Sequence, residues 1–304
     1  MGPTALAEVL TIENSVSPYD EALAYEYLYS LPGATLKKIT DSTVKSGKLP
    51  SQVMGEVSGL FDPPGLDVVQ EVLDSKIGRL GVAVNNTTTW PDRLADSERP
   101  TPLLYYYGDI GLIETLGVSI VGSRKASEEG KARAWKLARE LAKEGVTVVS
   151  GLARGIDTAA LESAVAAEGN VIGVIGTPID EFYPKENREL QELIGRNHLL
   201  VSQVPFYEYK VQPFVSRKHY FPERNELMAA ISNATVIVEA SDTSGTLSQA
   251  RACMHQGRPL FIMRSCYENE SVEWPRKWAE RPGVHVLDST GQLLEAIEKV
   301  GSRR

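Results

Sequence analysis

The sequence predicts an α/β fold in which a doubly wound, mostly parallel sheet is covered by helices on both faces. From residue 118 onward, short apolar runs alternate with amphipathic segments, which is the pattern of parallel strands buried on both sides. Three successive runs end in glycine-bearing loops, at Gly122, Gly151 and Gly176. Because the carboxyl ends of parallel strands share one edge of a sheet, we expect these loops to converge there.

The individual strands are predicted from apolar runs that glycine, proline and polar residues bound on either side. The helix after the first parallel strand, about Glu129–Glu144, places Leu137 and Leu141 on one face and ends at Gly145. This alternation of strand and helix is typical of a Rossmann-like sheet. The predicted strands are Leu80–Val84, Val118–Val121, Val146–Ser150, Val171–Ile175, Leu199–Val204, Thr235–Glu239, Pro259–Met263 and Val284–Leu287. A further apolar and aromatic run, Leu103–Tyr107, ends at Gly108.

The first part of the chain has a different character and predicts a small helical module. Asp20–Ser30 and Leu66–Leu73 carry apolar residues at helical spacing. We place the boundary near Ile77–Arg79, which divides the chain into a module of residues 1–78 and a Rossmann-like domain of residues 79–304. The module carries no chemical motif, so we expect it to serve in packing or in protein interaction.

The composition excludes several classes of protein. The 304 residues carry a formal charge of −8 and include two cysteines, Cys253 and Cys266, too few for a disulfide framework or a cysteine metal cluster. No apolar run approaches the roughly 20 residues of a membrane helix, and no signal-peptide pattern is seen. We therefore expect a cytoplasmic protein without membrane contact. The negative charge disfavours a non-specific coat on nucleic acid but permits a local basic groove.

The loop Gly122-Ser123-Arg124-Lys125 lies between the first parallel strand and a helix. Free N–H groups at a helix N-terminus suit a phosphate, and a guanidinium beside them can bind it through two hydrogen bonds. The third glycine of a dinucleotide-binding fingerprint is missing, which argues against a dehydrogenase. A tight turn with an exposed arginine explains these four residues equally well on their own.

The second glycine loop is more specific. Gly151 and Gly155 lie four residues apart with Arg154 between them, a spacing that permits close approach of a ligand to the backbone. Asp157 is predicted to cap a helix that begins at Thr158, and a capping role is favoured over catalysis.

Aromatic and basic residues occur together in two later segments. Tyr183, in the loop after Gly176, either stacks on a base or packs against the core. The run Arg217-Lys218-His219-Tyr220-Phe221-Pro222-Glu223-Arg224-Asn225 interleaves charge with rings, the mixture by which proteins hold single-stranded nucleic acid. Pro222 is predicted to start a helix in its first turn, which leaves Arg224 near the positive end.

One further loop predicts an anion site, and catalytic motifs are missing from the sequence. Ser244, Gly245 and Thr246 follow an apolar strand and open a helix over Leu247–Gln256. The sequence contains neither a nucleophile elbow nor a paired-histidine metal motif. We therefore predict no cofactor and no catalytic residue.

In this order and at this spacing, the motifs resemble the DNA-processing protein A (DprA/Smf) family. The resemblance spans roughly Leu80–Met263. It implies a non-enzymatic, Rossmann-like protein that binds single-stranded DNA, forms a homodimer and helps to load a RecA-type recombinase during transformation or recombination. Carried over residue by residue, it implies a DNA site lined by Arg124, Gly151, Arg154, Gly176, Phe221, Arg224, Asn225, Ser244 and Gly245. Their neighbours complete the candidate site: Gly122, Ser123, Lys125, Tyr183 and Lys218.

Several positions depart from the family pattern. Leu161, Pro178 and Gln203 stand where members usually have His, Gly and Glu. Glu226 replaces an arginine two residues after Arg224. A carboxylate at that position is expected to lie near phosphate and to weaken DNA binding.

Two other functions compete with DNA binding. A binder or sensor of a nucleotide-derived ligand would suit the acidic net charge, since such a ligand has few phosphates to neutralise. A phosphoribohydrolase similar to the lysine-decarboxylase-like (LOG) proteins would need an acid where Gln249 stands, and an amide cannot act as a general base. Affinity for oligonucleotides that falls steeply with salt would favour the DNA-binding hypothesis.

Overall fold

The computed structural model describes residues 16–58 and 65–301. Its strands are β1 (Gly81–Val84), β2 (Leu103–Gly108), β3 (Gly117–Val121), β4 (Thr147–Ser150), β5 (Val171–Val174), β6 (Leu199–Ser202), β7 (Ala234–Ile237), β8 (Leu260–Met263) and β9 (Val284–Leu287). They form one sheet in the order β1-β2-β6-β5-β4-β3-β7-β8-β9. Only β1–β2 and β2–β6 pair antiparallel within this sheet. The predicted doubly wound, mostly parallel sheet is confirmed.

The helices cover both faces of the sheet. They are α1 (Pro18–Ser30), α2 (Leu36–Ser42), α3 (Pro50–Val57), α4 (Leu66–Asp74), α5 (Glu128–Lys143), α6 (Ile156–Ala166), α7 (Arg188–Asn197), α8 (Phe206–Val211), α9 (Tyr220–Ile231), α10 (Thr246–His255), α11 (Arg264–Tyr267), α12 (Trp274–Ala279) and α13 (Thr290–Gly301). Alternate strand residues enter different cores: Val148 packs with the residues of α5 and α6, whereas Val149 packs with those of α9 and α10. Among the described residues, no helix is both long and apolar enough to span a bilayer.

The N-terminal helices pack against the antiparallel edge of the sheet. Tyr25 in α1 donates a hydrogen bond to the Gln203 carbonyl oxygen at 2.7 Å. The next residue, Glu26, is fully buried and accepts hydrogen bonds from the Tyr105 hydroxyl at 2.7 Å and from the Phe206 N–H at 2.9 Å. Burial raises the pKa of Glu26 to about 7. These contacts join α1 to β2 and α8, so the helices share one apolar core with the sheet.

The strand order brings the glycine loops to one edge. The chain runs outward from β3 through β4 and β5 to β6 and then returns to the other side of β3 with β7. The loops after β3, β4 and β5 therefore lie side by side at the carboxyl edge, where ligands bind in such sheets. Helix α9 begins over the same edge, because its first residues contact Gly151 and Gly176. The convergence that the sequence predicts is confirmed.

Candidate nucleic-acid interface

Three side chains from different elements come together at the carboxyl edge of the sheet, with Phe221 in contact with the other two. Phe221 lies in the first turn of α9, Tyr183 follows β5, and Arg124 follows β3. The rings of Phe221 and Tyr183 have their centroids 5.7 Å apart with an interplanar angle of 45°. The Arg124 Cζ lies 5.5 Å from the Phe221 centroid, within the range of a cation–π contact. We call Arg124, Phe221 and Tyr183 the Phe221 row.

The Phe221 row is open to solvent at both ends. Arg124 is exposed, Tyr183 is 46% exposed, and Phe221 between them is partly buried. Both rings can therefore present a face to a base while the guanidinium reaches a phosphate. The sequence assigned all three residues to the site, although they are 38 or more positions apart along the chain.

Gly176 supports the central ring. A Cβ added at Gly176 would lie 2.8 Å from Cδ1 of Phe221 and 3.4 Å from its Cα. The first value falls below ordinary van der Waals separation, so only glycine lets α9 approach the β5 loop this closely. Gly176 thus sets the position of Phe221 and has no side chain with which to contact a ligand.

Arg224 and Asn225 lie beneath the Phe221 row and are buried, at 7% and 8% exposure. Arg224 donates from Nη1 to the carbonyl oxygens of Gly151 at 2.6 Å and Val174 at 2.8 Å, and from Nε to Asn225 Oδ1 at 3.0 Å. Burial lowers the pKa of Arg224 to about 10, which leaves it charged at neutral pH. Nε and Nη1 of Arg224 thus donate within the protein, as does Nδ2 of Asn225, which donates to the Ser248 hydroxyl at 2.5 Å. These bonds join α9 to the loops beneath the Phe221 row.

Asp157 has a different role from the one its position suggests. Helix α6 begins at Ile156 with Gly155 as its cap residue, so the prediction that Asp157 caps a helix starting at Thr158 is wrong. Its carboxylate instead accepts a hydrogen bond from the Gly151 N–H at 3.1 Å. Burial raises the pKa of Asp157, and the charge of Arg224 opposes that rise. Asp157 therefore fixes the β4 loop from below.

Asn187 is a support that the sequence did not single out. It is buried, and its Nδ2 donates to the Leu152 carbonyl and to the Thr158 hydroxyl, each at 2.8 Å. Leu152 has a φ of 55°, a left-handed conformation that is uncommon outside glycine. In the sequence, Asn187 is visible only as a polar residue shortly after Tyr183-Pro184. Its hydrogen-bond partners lie about 30 residues away, so its supporting role has no local signal.

The helix N-termini are less open than expected. At α5, the Glu239 carboxylate accepts from the Ser127 N–H at 3.0 Å and the Ser127 hydroxyl at 2.5 Å, and Ser127 Oγ caps Gly130 N–H. The N–H groups of Ser127 and Gly130 are therefore already bound within the protein, the first of them by a carboxylate.

The loop before α10 closes against the first glycine loop. Thr246 donates through its hydroxyl to the Gly122 carbonyl at 2.9 Å, and Ser244 Oγ accepts from Thr246 N–H at 3.2 Å. Gly245 is exposed, with open space where a Cβ would stand. Gly122, Ser244 and Gly245 therefore lie together beside the Phe221 row. The backbone of Ser123 is bound as well, since its N–H donates to the Glu239 carbonyl at 2.7 Å.

Four cations of the candidate site lie at the surface. Arg124, Lys125, Arg154 and Lys218 are all exposed. Arg154 forms an exposed ion pair with Glu186. Such a pair contributes little to stability in water, so Arg154 can exchange Glu186 for a phosphate. The positive charge is thus available although the whole chain is acidic.

Glu226 points away from this surface. It forms an ion pair with Arg99 at 3.2 Å. It follows Arg224 by two residues, which at about 100° per residue places the two on nearly opposite sides of α9. The structure therefore places the Glu226 carboxylate on the Arg99 side of α9.

Comparison with known proteins assigns this architecture to a family. The family described as DNA recombination-mediator protein A matches residues 81–298. The chain belongs to this family. Among its similar members, DprA of Streptococcus pneumoniae is 40% identical over 161 residues, 53% of this chain and 55% of that protein. DprA of Bacillus subtilis is 29% identical over 269 residues, 88% of this chain and 86% of that protein.

Two solved DprA structures are similar in fold. The X-ray structure of DprA from S. pneumoniae gives a TM-score of 0.73 at 27% identity, covering 92% of this chain and 98% of that one. The structure of DprA from Helicobacter pylori gives 0.62 at 27% identity, covering 73% and 96%. In the sequence comparisons, the chain spans about half the length of the first two relatives it matches, DprA of S. pneumoniae and Smf of Synechocystis.

Proposed function

We propose that this DprA-family protein binds single-stranded DNA along the carboxyl edge of its sheet and acts as a recombination mediator. The observation that carries the proposal is the Phe221 row, in which a guanidinium lies 5.5 Å and a second ring 5.7 Å from the central ring. Stacking faces next to a cation are what a single strand requires, because its bases are unpaired and its backbone is charged. A duplex offers neither unstacked bases nor access to their faces.

The surroundings of the Phe221 row support a polymer more than a small nucleotide. Cations occur on separate loops, with Arg124 and Lys125 after β3, Arg154 after β4 and Lys218 before α9. A small ligand would need its cations gathered around one phosphate group. A chain of phosphates can contact several in turn. The H. pylori relative is described as having a single-stranded DNA binding mode, which agrees with this proposal.

We propose further that the protein acts without catalysis. Gln249, which stands where the LOG proteins have an acid, is 1% exposed and lies 3.4 Å from the Thr235 hydroxyl, inside the core. Among the described residues, no group of three or more His, Cys, Asp or Glu is placed to hold a metal ion. As the family resemblance implies, we propose a homodimer that hands its DNA to a RecA-type recombinase; light scattering and a recombinase-loading assay test these two points.

The primary test is a filter-binding titration with single- and double-stranded oligonucleotides of the same sequence at two salt concentrations. We expect preference for the single strand and an affinity that falls as salt rises. Calorimetry with mononucleotides serves as the comparison. Equal affinity for both DNA forms, or tight binding of a mononucleotide with none of the oligonucleotide, would contradict the proposal.

A further inference from the structure

An exposed apolar surface lies on the segment that connects α8 to α9. Val211, Phe214 and Val215 are 54%, 70% and 72% exposed. We call residues 211–216 the Phe214 loop. Single exposed apolar side chains are ordinary, but several close together mark a surface that contacts another molecule.

The Phe214 loop has a defined shape. Ser216 N–H donates to the Pro213 carbonyl at 2.9 Å, and Arg217 N–H donates to the Phe214 carbonyl at 3.2 Å. The Gln212 amide donates to the Tyr220 hydroxyl at 2.7 Å and ties the loop to α9. Because these bonds order the backbone, the exposure of Phe214 is a property of a structured loop.

The loop continues the surface of the Phe221 row. It leads directly into Arg217 and Lys218, and Lys218 belongs to the candidate site. Arg217 Cζ lies 4.4 Å from the ring centroid of Tyr209. Arg217 also lines a cavity of about 270 Å³ together with Pro178, from the β5 loop that carries Tyr183. The residues on either side of the Phe214 loop, Lys210 and Arg217, therefore face the β5 loop across this cavity.

The charge around the Phe214 loop favours a phosphate chain. Lys210 precedes the loop and Arg217 and Lys218 follow it, and no acidic residue occurs between Glu208 and Glu223. Two acids, Asp180 and Glu181, line the cavity on the side of the β5 loop, and Lys76 forms an ion pair with Asp180 at 2.5 Å. Apolar side chains set between cations match the alternation of base and phosphate in a single strand.

We infer that the Phe214 loop is a second contact point for single-stranded DNA, at which Phe214 stacks on a base beyond those held by the Phe221 row. The inference rests on the proposed function and extends it, because it defines the path of the bound strand across the protein surface. The strand runs from Arg124 past Phe221 and Tyr183 toward the α8–α9 connection.

Oligonucleotide length tests this inference. Fluorescence anisotropy compares labelled oligothymidines of about four and about sixteen nucleotides, the span of site sizes found in single-strand binders. F214A is expected to weaken binding of the long oligonucleotide at least about fivefold, the lower limit of one lost stacking contact, and to leave the short one unchanged. F214Y, which keeps a ring, should retain binding of both. V68A, at an exposed position of α4, is the matched surface control.

Each outcome has a separate meaning. Unchanged affinity of F214A for the long oligonucleotide overturns the inference, as does equal weakening for both lengths. Unchanged DNA affinity with lost binding of a RecA-type recombinase also overturns it and assigns the loop to a protein partner. If the unaltered protein binds neither oligonucleotide, the proposed function itself fails. Loss restricted to the long oligonucleotide supports the second contact point.

Discussion

The guanidinium of Arg224 donates a hydrogen bond to the carbonyl oxygen of Gly151 at 2.6 Å and leaves no room for a side chain between them. A Cβ on Gly151 would lie 1.9 Å from Arg224 Nη1. This contact joins α9 to the β4 loop beneath the Phe221 row. It divides the arginines of the site into two classes, since Arg224 supports the fold and Arg124 faces solvent.

R224A should therefore lower stability. The substitution leaves the carbonyl oxygens of Gly151 and Val174 without their charged donor, in a region closed to solvent. We expect the free energy of unfolding to fall by about 2 kcal/mol or more, because hydrogen bonds to charged groups are worth about 1.5–3 kcal/mol each. Urea unfolding measures the change. R154A, at an exposed position, is the control and should shift stability by less than about 0.5 kcal/mol. An R224A protein of unaltered stability that no longer binds DNA would instead make Arg224 a direct contact.

R124A should reduce the salt dependence of DNA binding without affecting stability. Each phosphate contact to a single strand contributes about 0.7 to the slope of log affinity against log salt. Loss of one contact should lower the slope by about that amount. R139A removes the same charge from an exposed position of α5 and should leave the slope unchanged. Identical slopes for R124A and the unaltered protein would remove Arg124 from the phosphate contacts.

F221A should weaken binding by another route. Its loss removes a stacking face, which costs about 1–3 kcal/mol of binding free energy per base. Because no charge is lost, the salt slope should stay the same. Titrations of F221A and R124A at several salt concentrations separate the two effects. A large change of slope in F221A would mean that the ring acts by positioning Arg124.

G176A should displace the ring of Phe221, because the added methyl group lies against it. The added methyl would lie 2.8 Å from Cδ1 of Phe221, so the ring must shift from its position beside Tyr183. We expect weaker binding of single-stranded DNA, in the same direction as F221A. G55A, on α3 with open space around the added Cβ, is the control. Binding by G176A equal to that of the unaltered protein would show that the exact position of Phe221 is unimportant.

The buried carboxyl group of Glu223 should make the free energy of unfolding depend on pH. Burial raises its pKa from an ordinary value of 4.5 to about 7, and its Oε2 has no hydrogen-bond partner. Between these two values the folded protein binds more protons than the unfolded chain, so the free energy of unfolding falls as pH rises through this window.

E223Q removes this titration and keeps the shape of the side chain. We expect the variant to gain on the order of 2 kcal/mol over the unaltered protein at pH 8 and little at pH 5. Glu26, whose pKa is also raised to about 7, is present in both proteins and cancels. Urea unfolding at the two pH values measures the difference, with E162Q on the exposed face of α6 as control. An equal effect of E223Q at pH 5 and pH 8 would contradict the assignment.

The sequence predicted the sheet well because each strand leaves a local signal. All eight predicted strands match observed ones, with ends that differ by at most two residues, and the apolar run Leu103–Tyr107 forms most of β2. Each apolar run is short and is bounded by glycine or polar residues. Because the carboxyl ends of parallel strands share one edge of the sheet, the loops that follow them are placed together. Arg124 followed from that placement and its chemical type, whereas Phe221 followed from the basic and aromatic run around it and from the family resemblance.

The roles of the charged side chains could not be predicted in the same way. Whether Arg224 faces solvent or the loops below depends on how α9 is rotated, and one residue changes that direction by about 100°. The same rotation turns Glu226 toward Arg99. Glu239 caps α5 across 112 residues of sequence, a contact with no local signal. Burial and long-range contacts decided these roles.

The central claim is that bases of a single strand stack on the aromatic rings of the Phe221 row. Photocrosslinking with an oligothymidine that carries a photoreactive base, followed by mass spectrometry of the peptides, tests it most directly. The account predicts crosslinks at Phe221 and Tyr183 that disappear when unlabelled single-stranded DNA competes. Specific crosslinks confined to surfaces away from the carboxyl edge of the sheet would contradict it.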